Sequence, residues 1–124
     1  MSKYAKFDSD TERRFSAILE DDSKVSKWMK PPVSDFRIPY ALGNDLYEYT
    51  PDFIVETPDS KWIVEIKAAD ETDDRKVLAK AEAAEKWCRD VNTVVSGKTW
   101  KYAILPHDMV IEGRDLAYIT MISR

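Results

Sequence analysis

Three residues near the middle of the chain have types and spacing suited to chemistry on a charged substrate. Asp52 heads the apolar run Asp52-Phe53-Ile54-Val55, and Glu65 and Lys67 lie in Trp62-Ile63-Val64-Glu65-Ile66-Lys67. Strand side chains alternate between faces with a period of two. Glu65 and Lys67 therefore share one face, and Trp62, Val64 and Ile66 share the other. A run this apolar belongs at the centre of a sheet, where a carboxylate and an ammonium are costly without a partner or a purpose. The turn signal Thr57-Pro58-Asp59-Ser60 separates the two runs. A hairpin folded around it brings Asp52 near Glu65 or Lys67, at one end of the sheet.

Two acids and one amine so placed suit hydrolysis of a phosphodiester. Hard cations such as Mg²⁺, with Mn²⁺ as a substitute, choose carboxylate and carbonyl oxygens at about 2.0–2.1 Å. Asp52 and Glu65 offer two carboxylates, and the main-chain carbonyl of Ile66 offers a third oxygen. A bound cation acidifies a coordinated water and offsets charge developing at phosphorus. Lys67 can orient or help deprotonate that water, or contact the phosphate. Glu12 is a further candidate. On a helix, Glu12, Phe15, Ser16 and Leu19 fall within one sector, so Glu12 faces the core side. There it can ligate a second metal or orient a water. Alternatively it closes a capping box with Ser9, three residues earlier.

The elements that must position these residues follow from periodicity. A first helix is expected at about 9–21, from Ser9 and the stripe Phe15, Ile18 and Leu19. Residues 24–30 are ambiguous between a short helix and a strand, and Pro31-Pro32 stop them. Phe36 to Tyr40 reads as a strand, and Leu46 to Glu56 as extended chain after the turn signal Gly43-Asn44-Asp45. These two segments can form a hairpin with a longer loop. Trp62 to Lys67 is the strongest strand. A long helix is expected at about 73–91, with Val77, Ala81, Ala84, Cys88 and Val91 on one stripe and Trp87 beside it. Asp73 and Asp74 suit its first turn, and Lys86 and Arg89 its last. Trp100 to Leu105 forms another strand, and Leu116 to Met121 a final strand or strand-like tail. The order implies an α/β domain around a mixed sheet.

Composition narrows the setting. The 124 residues fit one domain, 1–124, with a real core. Hydrophobic residues at 44% and charged residues at 34% indicate a folded, water-soluble chain. No apolar run approaches the roughly 20 residues that span a bilayer. Met1-Ser2-Lys3-Tyr4-Ala5-Lys6 lacks the apolar stretch of a secretory signal. The single cysteine, Cys88, excludes an internal disulfide and a cysteine-based zinc cluster. No membrane association and a cytoplasmic location are therefore expected. The net charge of −4 argues against bulk electrostatic wrapping of nucleic acid. Strong DNA capture is expected to come from a partner or an adjoining domain.

Pro51-Asp52, a gap of twelve residues, and then Glu65-Ile66-Lys67 resembles the PD-(D/E)xK nuclease signature, with Glu12 on an upstream helix as in that superfamily. More narrowly, five segments are similar to the endonuclease domain at the C-terminus of type III restriction enzyme Res subunits. They are Glu12-Arg13-Arg14-Phe15, Trp28-Met29-Lys30, Ile38-Pro39-Tyr40, Tyr49-Thr50-Pro51-Asp52-Phe53-Ile54-Val55 and Ile63-Val64-Glu65-Ile66-Lys67, across roughly residues 9–105. The resemblance implies a restriction-endonuclease-like mixed central sheet flanked by helices, and Mg²⁺-dependent cleavage of DNA. By motif match, Asp52, Glu65 and Lys67 are then catalytic and Glu12 accessory. It also implies a helicase-like ATPase or modification subunit, or a neighbouring domain, as partner, and allows a homodimer. Two other readings stay open. One is a catalytically silent nuclease-fold module that binds nucleic acid or a protein. The other is a Holliday-junction resolvase-like or repair nuclease, which needs a dimer.

Other residues read more plainly. Lys80 is expected to be a solvated helix lysine, with a phosphate contact as the alternative. His107 reads as a loop residue and Cys88 as a small buried apolar one. Tyr40 and Tyr49 read as core aromatics, or as cleft lining. Lys24, Lys27, Lys30 and Arg37 form a modest basic cluster that either meets phosphates or is solvated surface.

Overall fold

Phe15, Ile18 and Leu19 do form one buried stripe, and it seats helix α1, Asp10–Asp21, against a sheet. The computed structural model describes residues 10–67, 74–111, 113 and 115. Ser9 with its capping box, Asp73 and the expected strand Leu116 to Met121 lie outside the described residues. Among the described residues no helix is long and apolar enough to cross a membrane.

Strands β1 (Lys27–Met29), β4 (Phe53–Glu56), β5 (Ser60–Lys67) and β6 (Thr99–Pro106) form one sheet in the order β1-β4-β5-β6. β1 and β5 run antiparallel to β4, and β6 runs parallel to β5. A parallel neighbour requires a crossover connection. Helix α2, Asp74–Val94, supplies it. The sheet is therefore mixed and lies between helices, as expected of a restriction-endonuclease-like fold. β5, the most apolar strand, is central. The ambiguous stretch before Pro31 becomes the short edge strand β1, whose Trp28 turns inward.

The alternation of β5 divides the core in two. Val64, with Trp62 and Ile66 beside it, packs with Phe15, Leu19, Phe53 and Val55 on the α1 side. Phe15 meets Phe53 edge-on at 5.0 Å between ring centroids. Ile63 packs with Ala84 and Cys88 of α2 and with Ile38. Trp87 beside that stripe meets Trp100 at 4.9 Å and Phe36 at 5.1 Å. The buried Cys88 is thus a small core residue.

Three expectations need correction. The extended stretch Leu46 to Glu56 is not one strand. β2 (Ile38–Leu42) and β3 (Asp45–Tyr49) form a separate two-stranded sheet, and β4 begins only at Phe53. Pro51, buried and without an N–H, interrupts the ladder between them. The β2–β3 loop is also shorter than anticipated. Leu42 pairs with Asp45, leaving Gly43 and Asn44 as the turn, and Gly43 takes a φ of 65°. That backbone suits a tight hairpin and is strained for a residue with a Cβ. In addition, α2 runs on to Val94, so Lys86 and Arg89 are not in its last turn. Lys86 instead pairs with Asp90 one turn on, at 2.6 Å.

Candidate active site

The hairpin around Pro58-Asp59 forms, with Phe53 opposite Val64. This register puts Asp52 level with the Glu65–Ile66 step of β5. Because β4 begins only at Phe53, its ladder does not extend alongside that step. The Asp52 carboxylate takes this place: the Ile66 N–H donates to its Oδ2 at 2.8 Å. A charge-assisted bond to the backbone fixes the carboxylate more firmly than solvent can. Pro-Asp ending a ladder and an acid held on the neighbouring strand are thus one local device.

Glu65 shares the α2-side face with Ile63 and Lys67. The residue is half-buried, but its Oε1 is fully enclosed and has no hydrogen-bond partner among the described residues. Burial, and then the nearby Asp52 charge, push its carboxyl up to about 8. The Tyr49 hydroxyl and the Lys80 ammonium pull the other way without prevailing. Tyr49 is itself raised far above the ordinary phenol range, by burial first and then by Glu65. Its hydroxyl donates to the Lys80 carbonyl at 3.3 Å, tying β3 to α2 over the acids.

Lys67 ends β5 nearer the surface. Its Nζ stands 3.7 Å from Asp74 Oδ1, with the lysine side chain 39% exposed and the aspartate 88%. So open a pair is weak and readily exchanged for another anion. In β6, Pro106 is the register neighbour of Lys67, and His107 follows it in a short 3-10 turn. His107 is thus anchored beside the end of β5 rather than on a free loop.

Glu12 is buried, as its helical position requires, and its Oε1 meets Lys30 Nζ at 2.5 Å. Lys30 also stands 5.0 Å above the Phe53 ring. This pair lies on the α1 side of the sheet, whereas Glu65 and Lys67 face α2. Among the described residues no three acidic, histidine or cysteine side chains gather closely enough to hold a metal ion. The fold therefore brings Asp52, Ile66 and Glu65 together, sets Lys67 at their rim, and pairs Glu12 with Lys30. The members of the basic cluster have separate settings. Lys30 serves Glu12, Arg37 reaches Glu48 at 3.5 Å, and Lys24 and Lys27 are exposed.

Lys80 departs most from expectation. It is not a solvated helix lysine but half-buried, with Nζ 5.2 Å from the Tyr49 ring centroid and 5.8 Å from that of Tyr40. Its position on α2 one turn before the buried Ala84 was the available signal.

A carboxylate oxygen enclosed without a donor, beside a second carboxylate, is what a hard cation would complete. The donor set of Asp52, Glu65 and the Ile66 main chain fits such an ion. The mixed sheet between helices, with a Pro-Asp and a Glu-x-Lys on two antiparallel neighbours, defines a nuclease fold of the PD-(D/E)xK type. The chain belongs to the family described as TnsA-like endonuclease N terminal, which it matches over residues 22–103. No curated protein and no solved structure is significantly similar to it. The match falls on this family and not on the type III Res domain. The segments that suggested the latter are mostly the shared strands and acids of the superfamily, and these do not separate its branches. α1, with Glu12, lies before the matched span.

Proposed function

We propose that the chain is a divalent-metal-dependent DNA endonuclease whose site is Asp52, Glu65 and Lys67. The observation that carries this reading is the enclosed Oε1 of Glu65, without a partner among the described residues, beside an Asp52 fixed on the Ile66 N–H. A bound Mg²⁺ or Mn²⁺ would supply positive charge and acidify water at neutral pH. Asp52 and Glu65 would hold the cation, with the Ile66 carbonyl as third donor. The Ile66 N–H keeps Asp52 oriented before any ligand arrives. Lys67, on the same face and loosely paired, is free to turn from Asp74 to a phosphate oxygen or the attacking water. Tyr49 and α2 close one side of the pair and keep water from screening it. Glu12 is accessory: Lys30 neutralises it on the α1 side, and it joins the site only if that pair opens. The net charge of −4 leaves DNA capture to a partner or a neighbouring domain, in a cytoplasmic setting.

One observation favours a second reading, a silent nuclease-fold module that binds nucleic acid or protein: only two carboxylates meet at the site among the described residues. Supercoiled plasmid incubated with the chain and Mg²⁺ or Mn²⁺ decides between them. Nicking or linearisation that disappears in Lys67→Ala supports the enzyme. No cleavage and no Mn²⁺ binding supports the silent module. Metal-dependent cleavage that survives in both Asp52→Ala and Lys67→Ala refutes the assigned site.

A further inference from the structure

At the start of β6 the Asn92 side chain stands in for a neighbouring strand. The Trp100 N–H donates to Asn92 Oδ1 at 2.8 Å, and Asn92 Nδ2 donates to the Trp100 carbonyl at 2.9 Å. The main-chain groups of Trp100 therefore point away from β5, and by alternation so do those of Tyr102, Ile104 and Pro106. Asn92 closes this outer edge at Trp100, and Pro106, without an N–H, closes it at the other end. Between them lies a slot one short strand long, in which the Tyr102 and Ile104 main chains face outward. Among the described residues β6 is the last strand of the sheet on that side. Beside the slot a groove of about 600 Å³ runs along α2, with Ala81, Cys88, Tyr102 and Ile104 in its lining.

The chain that leaves β6 is tethered at once. Val110 is buried in the α1-side core, and its carbonyl accepts from Arg14 Nε at 3.2 Å. Gly113 has a φ of 93°, a left-handed backbone suited to reversing the chain. Residues 116–124 follow, and Leu116-Ala117-Tyr118-Ile119-Thr120-Met121 is rich in strand-forming types. We propose that residues 116–121 occupy the β6 slot as a further strand of the sheet. Nine residues, 107–115, separate Pro106 from Leu116. A parallel crossover needs about a dozen or more, so the added strand runs antiparallel. Of its two alternating sets, Ala117, Ile119 and Met121 are wholly apolar and fill the groove along α2. Ile104 is the register neighbour of Glu65, so the added strand also walls the flank of the candidate site.

Amide hydrogen exchange in the full chain, followed residue by residue by NMR, tests this at named hydrogens. The N–H groups of Ala103 and Leu105, which face β5, are the internal reference. The Tyr102 and Ile104 amides should exchange within about 10-fold of these, at every protein concentration. Ile119→Asp puts a charge into the groove, and should speed Tyr102 and Ile104 by about 10-fold or more while Ala103 and Leu105 hold. Ile119→Ala, a milder change, should move the same two amides in the same direction. Fast exchange at Tyr102 and Ile104 in wild type overturns the proposal. So does slow exchange that both variants leave untouched, or equal speeding of all four amides in both. Protection that fades on dilution also overturns it, and assigns the edge to a second copy of the chain.

Discussion

The two faces of the central sheet each bury a glutamate, and they treat it in opposite ways. On the α1 face Glu12 is 6% exposed and meets Lys30 at 2.5 Å. Its charge is matched and its surroundings are the aromatic core around Phe15 and Phe53. On the α2 face Glu65 has a like charge, Asp52, for its neighbour, and its enclosed Oε1 has no donor among the described residues. Burial alone therefore does not mark a functional acid. An acid that the fold has already paired with a cation belongs to its architecture, and a buried one left without an ion-pair partner among the described residues belongs to its chemistry.

Substitutions should separate the two faces cleanly. The largest effect is expected at Asp52. Asp52→Asn removes a ligand charge while leaving an acceptor for the Ile66 N–H, and should lower metal-dependent cleavage by about 10²–10³-fold or more in a plasmid assay. Glu12→Gln should retain most of that activity, and a comparable loss there would break the distinction. Stability should show the reverse order. Glu12→Ala leaves the Lys30 ammonium half-buried without its partner, and should cost about 2–4 kcal/mol in chemical denaturation. Adding Lys30→Met to it should restore part of the loss.

The pH dependence of stability sharpens the comparison further. Burial and Asp52 raise the Glu65 carboxyl from its ordinary 4.5 to about 8. Between these values the folded chain holds a proton that the unfolded chain has released. This group's contribution is therefore fully present below about pH 4.5 and is lost as pH rises to about 8. Glu65→Gln should remove that slope, melting a few degrees above wild type at about pH 8.5 and no higher at about pH 4. The smallest effect belongs to the exposed rim. Asp74→Asn should move the melting temperature by less than about 2 °C, since the Lys67–Asp74 pair is weak and open.

Much of the α2-face site was legible because its signal is local. Period-two alternation put Glu65 and Lys67 on one face, and the turn at Pro58 folded Asp52 back to them. Helical spacing likewise turned Glu12 inward. What it turned towards was not legible, since Lys30 lies on another element, 18 residues away. The break at Pro51 was hidden because apolar residues continue on both sides of it, and strand periodicity does not report a change of sheet. The burial of Lys80 is hidden for a related reason. A lysine beside an apolar helical stripe looks solvated until the hairpin β2–β3, a separate sheet, covers it with Tyr40 and Tyr49. The narrower family was not legible in the strands and acids, which are common to the superfamily.

The central claim is that the α2 face, where Asp52 and Glu65 meet, holds the cation. Mn²⁺ binding by wild type, Glu65→Gln and Glu12→Gln, measured side by side by calorimetry at one pH, tests it most directly. The account predicts binding by wild type and by Glu12→Gln, and its loss in Glu65→Gln. Undiminished binding by Glu65→Gln, or loss confined to Glu12→Gln, would contradict it.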